Sequence, residues 1–356
     1  MPTALPMRVA LLTPSSPPAV RGNAITVRRI ASGLAARGLA VSVLGLDRLA
    51  PGAVADKVRG FRPDIVHAFH ATAAGPLALE CARELGLPAV VTLTGTDVNH
   101  DLVDAERGRI VRRVLEAVEA VVVFHAVIRD RACRALPAVA SRIHVIGQAV
   151  ELSGGAGDLR GRLGVGPADF LVAQIAGVRR VKNIPAALAL LTALHERHPH
   201  VRYVLAGPVL EPEEGARVAA MLRTRPWAVF LGEVPHAEIS LLLRGADAAV
   251  NSSLSEGGMS NAVLEAMSQG IAVLASDIEG NRSVVTDGED GLLYASQGEF
   301  LEKAERLLAD AALRRRLGAR ARQTITDRFP RAAEIDGHLR LYRSLRRAGG
   351  EGAPWI

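Results

Sequence analysis

The chain has 356 residues, of which 49% are hydrophobic and only 3% aromatic, and its formal net charge is +6. This length favours two α/β domains over one, and the composition suits helices packed on parallel strands. No apolar run reaches the length of a membrane span, and Cys81 and Cys133 form no CxxC motif or Cys/His cluster, which argues against a disulfide framework and a zinc site. We therefore expect a cytoplasmic protein, in which the short apolar run of residues 1–12 is not a signal peptide.

The charge is distributed unevenly along the chain. Residues 1–150 carry 18 Lys and Arg against 12 Asp and Glu, whereas residues 151–356 carry 25 of each. This asymmetry favours an anionic small molecule or an acidic membrane surface as a partner, with a plain solvated surface as the alternative. Nucleic acid is the least favoured partner, because no RNA-recognition signature or aromatic stacking stripe accompanies the basic residues. We expect no nucleic-acid binding and at most peripheral membrane contact.

The first half alternates predicted strands and helices. Arg8–Thr13 is a short apolar run that predicts a strand, and it is followed by a Pro/Gly loop and a helix over residues 24–37. Five further strands are predicted, at residues 41–46, 65–68, 89–93, 120–124 and 143–146. Parallel pairing is the default for this alternation.

The Gly-rich residues 151–167 predict a linker, after which the pattern restarts. Strands are predicted at residues 170–176, 201–206, 228–231, 248–251 and 272–275. Helices are predicted at residues 185–197, 213–224, 237–244, 261–269, 299–309 and 331–347. We therefore expect an N-terminal domain over residues 1–152, a C-terminal domain over 168–328, and a final helical segment over 329–356.

The most informative segment is residues 251–270, NSSLSEGGMSNAVLEAMSQG, which begins where a buried strand is predicted to end. A Gly-Gly turn that leads into a helix N-terminus favours an anion such as pyrophosphate, because backbone N–H groups and the positive end of the helix dipole point to the same place. Glu256 in the loop can accept hydrogen bonds from sugar hydroxyls, and Glu265 in the helix from a ribose diol. Taken singly, each feature is also compatible with an ordinary turn or a surface helix. The contacts predicted for a phosphorylated sugar donor are Gly257, Gly258, Met259, Ser260, Asn261 and Glu265, with Ser260 or Asn261 as the helix N-cap.

This segment resembles the carboxylate signature of the retaining nucleotide-sugar glycosyltransferases of GT-B family four, the glycosyl transferases group 1, and the resemblance covers nearly the whole chain. In that family seven residues usually separate the two glutamates, whereas eight separate Glu256 from Glu265, so either Gly257 or Gly258 is extra. The resemblance implies two facing Rossmann-like doubly wound domains, with a C-terminal helix that crosses back to the N-domain. It also implies a retaining hexosyltransferase that uses a UDP-sugar and needs neither a metal nor a separate cofactor.

Residues 175–183, IAGVRRVKN, are similar to the Gly/Arg/Lys loop that holds the donor diphosphate in the family. Loss of the nucleotide leaves about two negative charges that fixed cations must meet in the absence of a metal. Arg179 and Lys182 match this loop best, Arg180 is the alternative cation, and a plain solvated basic turn is the other interpretation. The family's backbone contact with the nucleobase implies Val234, two residues after Gly232, and an ordinary turn at the end of a strand is the alternative.

In the first half, Gly22 and Asn23 match the family's glycine-containing loop that faces the donor phosphates, although Asn23 is equally compatible with a helix cap. Residues 92–98, TLTGTDV, occupy the place of a family motif that often reads His-Gly-x-Asp, with Thr94 in place of the histidine. Asp97 is then the nearest polar candidate for contact with the reacting sugar. His125, just after a predicted strand, is a further candidate or a packed core histidine.

Two subgroups share further motifs with this chain, the first Asn-Ser-Ser-Leu-Ser-Glu and Gly-Thr-Asp-Val-Asn, and the second Leu-Thr-Gly-Thr-Asp, Glu-Gly-Gly and Ile-x-Gly-Asn. They are the glycosyltransferase-one-domain proteins, whose acceptor is unidentified, and the selenosugar synthases, which imply a small anionic acceptor such as selenophosphate or thiophosphate. A non-catalytic nucleotide-sugar-binding protein and a nucleotide-sugar epimerase of the same fold are the alternatives outside this activity. The sequence has no convincing Asp-x-Asp motif, which argues against a metal-dependent transferase. It also has no Walker loop and no Gly-x-Gly-x-x-Gly turn, which argues against an NTPase and a dehydrogenase.

Overall fold

The computed structural model describes residues 6–16, 22–152, 154, 157–256 and 258–350, with the backbone alone for 348–350. The chain divides into two compact units, one of residues 1–149 with 331–356 and one of residues 150–330. Each unit contains a six-stranded parallel sheet. The predicted parallel α/β architecture is therefore confirmed in both units.

The sheet of the first unit has six strands in the order β2-β1-β3-β4-β5-β6. The strands are β1 Arg8–Thr13, β2 Ala40–Gly45, β3 Ile65–Phe69, β4 Ala89–Thr92, β5 Ala120–Val123 and β6 Ile143–Val145. The helices are α1 Gly22–Ala36, α2 Pro51–Phe61, α3 Gly75–Leu85, α4 Thr96–Asn99, α5 Arg107–Ala117 and α6 Ala126–Ala135, with 3₁₀ turns at Asp101–Val103 and Pro137–Arg142. Strands such as β5, which reads Ala-Val-Val-Val and is buried throughout, are apolar on both faces because helices cover both sides of the sheet.

The second unit has the sheet order β12-β11-β10-β7-β8-β9. The strands are β7 Phe170–Ile175, β8 Val201–Ala206, β9 Ala228–Phe230, β10 Ala248–Asn251, β11 Ala272–Ser276 and β12 Leu292–Tyr294. The helices are α7 Leu159–Arg162, α8 Ile184–Arg197, α9 Pro212–Leu222, α10 His236–Gly245, α11 Asn261–Ser268, α12 Glu279–Arg282, α13 Gln297–Ala309 and α14 Ala311–Arg328, with a 3₁₀ turn at Arg180–Lys182. The chain order changes direction at β7 and β10, which are adjacent strands, and ligands of open α/β sheets bind at such a switch point.

The last helix, α15 (Arg331–Gly350), packs against α1 in the first unit. The helices approach closely because Gly33 has no side chain, and a Cβ there would overlap Ile335. Arg29 and Glu334 join the same two helices through two hydrogen bonds of 2.8 Å, and both side chains are almost fully buried. The terminal helix is thus part of the core of the first unit.

The structure corrects four local predictions. Helix α1 begins at Gly22, two residues before the predicted start, and the predicted linker contains the short helix α7. Asp158 caps α7 by accepting a 3.1 Å hydrogen bond from the Gly161 amide, which is why a turn of helix forms in a Gly-rich stretch. The sequence analysis also missed β12 and α14. None of the helices among the described residues has both the length and the apolar character that spanning a membrane requires.

Candidate functional site

The candidate site lies at the carboxyl edge of the second sheet. The adjacent strands β7, β10 and β11 end there, and each continues into a loop that leads to a helix or helical turn. Parallel strands place their carboxyl ends at one edge, so residues 176–183, 252–260 and 277–278 meet although up to about a hundred residues separate them. The two segments that the sequence singled out, residues 175–183 and 251–270, are therefore brought together.

Lys182 and Glu256 form an ion pair between these loops. Lys182 Nζ donates a 2.5 Å hydrogen bond to Glu256 Oε1, and both side chains are mostly buried. Ser253 Oγ and Asn251 Nδ2 donate to the same oxygen, at 2.7 and 3.3 Å. Burial by itself raises the pKa of Glu256, but the Lys182 ammonium and these two donors more than compensate and hold the pKa below its usual value. Glu256 therefore carries its negative charge at neutral pH.

A chain of buried hydrogen bonds fixes the loop that carries Lys182. Tyr203 Oη donates to Gln174 Oε1 at 2.6 Å, and Gln174 Nε2 donates to Ser252 Oγ at 3.0 Å. Ser252 Oγ in turn donates to the backbone oxygen of Lys182 at 2.8 Å. Burial raises the pKa of Tyr203, so its hydroxyl keeps the proton that it donates. The relay starts on β8, crosses β7 and ends at the Lys182 backbone, and the sequence analysis singled out Ser252 only as part of the segment 251–270 and did not single out Tyr203 or Gln174.

Arg179 provides a second cation in the same loop. Its Nε atom is buried, and the side chain has no hydrogen-bond or ion-pair partner among the residues that the structure describes. A buried donor without an acceptor costs about 1–3 kcal/mol, an expense that is typical of a group kept for a ligand. Arg180, the alternative cation, is exposed, and its backbone amide donates to Glu211 Oε2 at 2.8 Å.

The turn after β11 supports the Glu256 loop from behind. A Cβ on Gly280 would lie 2.5 Å from Glu256 Cβ and 2.6 Å from the Gly258 carbonyl oxygen, so the two backbones pack without room for a side chain. Asn281 Nδ2 donates to Asn251 Oδ1 at 3.1 Å and to the Ser276 carbonyl at 2.9 Å. Gly280 and Asn281 thus tie this turn to the end of β10 and to the Glu256 loop.

Helix α11 begins beside this cluster. Ser260 occupies the N-cap position, but its hydroxyl accepts from Asn251 Nδ2 at 3.2 Å and makes no capping bond to the helix. Gly258, Met259 and Ser260 are buried, Asn261 is the first helical residue, and Gly257 lies outside the described residues. Because no side chain caps it, the positive end of α11 is arranged for an anion at the carboxyl edge.

Glu265 lies one turn into α11 and contacts a residue that the sequence analysis did not single out. His236 Nε2 lies 2.7 Å from Glu265 Oε1, and both side chains are buried. Val234 is half-buried two residues before His236, in the connection from β9 to α10. His236 thus lies two residues after the predicted nucleobase contact, Val234, and its side chain contacts the predicted ribose contact, Glu265.

In the first unit, Gly22 and Asn23 are the first two residues of α1, which follows β1 in the chain. Asn23 therefore lies within the helix. The alternative interpretation, in which Asn23 is the N-cap, is wrong. Their predicted contact with donor phosphates stays a prediction. His125 occupies the N-cap position of α6, directly after β5 and Phe124.

Asp97 is fully buried, and its carboxylate is surrounded by backbone amides. It accepts from Gly95 at 2.7 Å, Ala71 at 2.9 Å, and Thr94 and Val98 at 3.1 Å. These bonds hold the loops after β3 and β4 together, so the geometry gives Asp97 an ordering role. A direct contact with the reacting sugar stays a prediction.

Across residues 6–16, 22–152, 154, 157–256 and 258–350, no three His, Cys, Asp or Glu side chains gather as a set of metal ligands. The charged groups at the carboxyl edge of the second sheet include the Lys182–Glu256 pair, Arg179 and Glu265 with its partner His236. Such a set can bind a phosphorylated, hydroxyl-rich molecule through cations, helix dipole and carboxylates.

Comparison with known proteins agrees with this geometry. Residues 6–153 match the profile described as Glycosyltransferase Family 4, and residues 158–324 match the profile described as Glycosyl transferases group 1. The chain is 29% identical over 272 residues to glycosyltransferase 1 domain-containing protein 1 of Xenopus tropicalis, an alignment that covers 73% of this chain and 77% of the relative. It is 28% identical over 257 residues to an alpha-maltose-1-phosphate synthase of Mycolicibacterium smegmatis, covering 66% and 65% of the two chains.

Among solved structures, the fold is similar to that of the Anabaena protein HepE in complex with UDP and glucose. The TM-score is 0.81 at 18% identity, over 95% of this chain and all of the other. A sucrose-phosphate synthase from Thermosynechococcus elongatus gives a TM-score of 0.79 at 20% identity, over 96% of this chain and all of the other. The chain therefore carries a glycosyltransferase family 4-type domain followed by a glycosyl transferases group 1 domain, and it belongs to the glycosyltransferases of the GT-B fold.

Proposed function

We propose that the protein is a retaining, metal-independent hexosyltransferase that transfers a hexose or N-acetylhexosamine from a UDP-sugar to an acceptor. The observation that carries this proposal is the pairing of Lys182 with Glu256 at the carboxyl edge of the second sheet, in the same loop as Arg179, whose side chain has no partner within the described part of the chain. The similarity to a fold neighbour solved with UDP and glucose supports UDP as the nucleotide. The nucleotide-sugar is the substrate, and the proposal requires no separate cofactor.

The reaction breaks the bond between the anomeric carbon and the diphosphate oxygen, and UDP leaves with its charge. Arg179, Lys182 and the N-terminus of α11 would meet that charge, which is the role that electrostatic stabilisation plays in transfer reactions. An ammonium has three N–H donors, and Glu256 takes one from Lys182, so others remain for phosphate oxygens. Glu256 would accept from hydroxyls of the sugar. The acceptor attacks from the face that UDP leaves, and its proton passes to the departing phosphate oxygen.

The test is mass spectrometry of the protein incubated with UDP-glucose or UDP-N-acetylglucosamine and candidate acceptors, in the presence of EDTA. UDP release together with a new glycoside supports the proposal, and a product that keeps its anomeric configuration by NMR supports retention. Donor binding without UDP release from any acceptor would support the alternative of a non-catalytic nucleotide-sugar-binding protein. A nucleotide-sugar of unchanged mass and altered configuration would indicate an epimerase.

A matched pair of variants tests whether Arg179 is the cation that contacts the donor diphosphate. Arg179→Met is expected to lower kcat by about 10²–10³-fold, since loss of one stabilising donor has an effect of that size. Arg180→Met, which removes the same charge from the adjacent exposed position, is the control and is expected to leave kcat within about twofold of the parent. The opposite ranking would assign the diphosphate contact to Arg180.

A second candidate acceptor is a small anion such as selenophosphate or thiophosphate. The first unit, residues 1–149 and 331–356, carries 23 Lys and Arg against 15 Asp and Glu, and such an excess attracts anions. One relative is named for a phosphorylated product, alpha-maltose-1-phosphate. A sugar adduct of thiophosphate or selenophosphate in the same assay supports this candidate, and turnover confined to neutral acceptors contradicts it.

A further inference from the structure

Helices α10 and α11 are joined by two polar contacts, one turn apart. His236 Nε2 lies 2.7 Å from Glu265 Oε1, and Ser240 Oγ donates to Gln269 Oε1 at 3.3 Å. Both pairs are spaced by four residues on each helix, and such residues lie on the same helix face. His236 is the first residue of α10 and Glu265 lies one turn into α11, whereas Ser240 lies one turn farther along α10 and Gln269 is the C-cap residue of α11.

The His236–Glu265 pair leaves one carboxylate oxygen without a hydrogen-bond donor from the described residues. Glu265 is only 3% exposed, its Oε1 faces His236, and its Oε2 has no hydrogen-bond partner among the residues that the structure describes. A carboxylate only accepts hydrogen bonds, so His236 Nε2 carries the proton in this contact. Protein atoms do not fully enclose Oε2, so a ligand can reach it, and the nearby N-terminus of α11 favours the negative charge without supplying a donor.

We propose that His236 is a positioning residue, which orients the Glu265 carboxylate so that Oε2 accepts from the ribose hydroxyls of the nucleotide. This inference rests on the proposed function, because it assumes a nucleotide donor at the carboxyl edge. It makes the His236–Glu265 pair the element that selects ribonucleotides over deoxyribonucleotides. Ser240 and Gln269 make an ordinary contact between the same helices, so they offer a matched control.

The experiment is calorimetric titration of the full chain with UDP and with 2′,3′-dideoxy-UDP, which lacks the hydroxyls. The parent protein is expected to prefer UDP by roughly 10- to 100-fold, the value of one or two hydrogen bonds to a charged group. In His236→Phe the preference is expected to fall below about threefold, because UDP binds more weakly while dideoxy-UDP is unaffected. His236→Gln keeps an N–H donor and is expected to restore part of the preference. Ser240→Ala is expected to keep the parent's preference even if it lowers the melting temperature.

The outcomes separate this inference from the proposed function. If neither nucleotide binds the parent protein, the proposed UDP-sugar donor is wrong. If both bind equally well to the parent protein, the donor stands and the ribose contact of Glu265 is wrong. If His236→Phe weakens both nucleotides by the same factor, or if Ser240→Ala lowers the preference as much, His236 only packs the two helices and the inference fails.

Discussion

At Gly280 the proposed donor site depends directly on close backbone packing. A Cβ at this residue would lie 2.5 Å from Glu256 Cβ and 2.6 Å from the Gly258 carbonyl oxygen, and side-chain Cβ atoms do not approach other atoms that closely. Gly280→Ala must therefore move the Glu256 loop or the turn after β11. Overpacking of this kind costs about 1–3 kcal/mol.

The substitution is expected to change stability and function together. In a domain of about this size, each kcal/mol lowers the melting temperature by roughly 2–4 °C, so the unit should melt about 2–12 °C lower. The Glu256 loop also holds the 2.5 Å contact with Lys182, and misplacement of a reacting group by about 1 Å can lower a rate about 100-fold. We expect kcat for UDP release to fall by at least about tenfold.

Gly60→Ala is the matched control, because a Cβ at Gly60 meets no atom within 4 Å and the residue lies inside helix α2. This substitution is expected to raise stability by about 0.5–1 kcal/mol and to leave turnover unchanged. Differential scanning calorimetry and an assay of UDP release measure both properties on the same samples. The reasoning is refuted if Gly280→Ala matches the parent protein in melting temperature and in turnover.

Three further perturbations test contacts inside each unit, and urea unfolding measures the change in the free energy of unfolding. Tyr203→Phe leaves the buried Gln174 oxygen without its donor and should lower the free energy of unfolding by about 1–3 kcal/mol, and an unchanged value would contradict the relay. Glu334→Gln leaves the Arg29 charge buried without its partner and should cost about 3–5 kcal/mol, whereas the double change Arg29→Met with Glu334→Leu should cost much less. Burial lowers the pKa of both His67 and His338, so the unfolded chain takes up their protons first as the pH falls below about 6.5. The free energy of unfolding should therefore decrease from pH 7 to pH 5, and a His67→Gln/His338→Gln variant with the same slope as the parent would refute this cause.

The strands could be predicted because they are buried on both faces. Ala120–Val123 reads as a continuous apolar segment and Val201–Ala206 is interrupted only by Arg202, and the predicted strand bounds differ from the structure by one residue at most. Strand β12 has only three residues, too few for a pattern. In α14 the buried residues Leu313, Leu317, Ala321 and Ile325 recur every four positions, but six arginines in the same helix mask the apolar face.

The candidate site was predictable only where its residues lie close together in the chain. The segment of residues 251–270 combines a strand end, a Gly-Gly turn and a helix start, which together indicate an anion site. Gln174, Tyr203 and His236 have no such local signal, because their roles depend on which strands and helices are neighbours, and the Ile-x-Gly-Asn motif marks Asn281 without indicating its contact with Asn251. Asp97 shows the opposite problem, since its sequence context suggests a ligand contact while the fold surrounds its carboxylate with four backbone amides, one of them from Ala71 in the loop after β3.

The two units differ in net charge, so the proposed binding of the donor and that of an anionic acceptor should depend differently on salt. The second unit, residues 150–330, holds the proposed diphosphate cations, yet it carries 20 Lys and Arg against 22 Asp and Glu. On the proposed function, donor binding depends on a few groups such as Lys182, which is mostly buried, and Arg179, whose Nε is buried, and salt screens such groups weakly. The excess positive charge of the first unit is spread over its surface, where salt screens it strongly. If the acceptor is a small anion, raising the salt concentration from 50 to 500 mM should raise its KM several-fold and leave the KM of the donor nearly constant. Equal sensitivity of both constants would show that surface charge and not the buried loop governs donor binding.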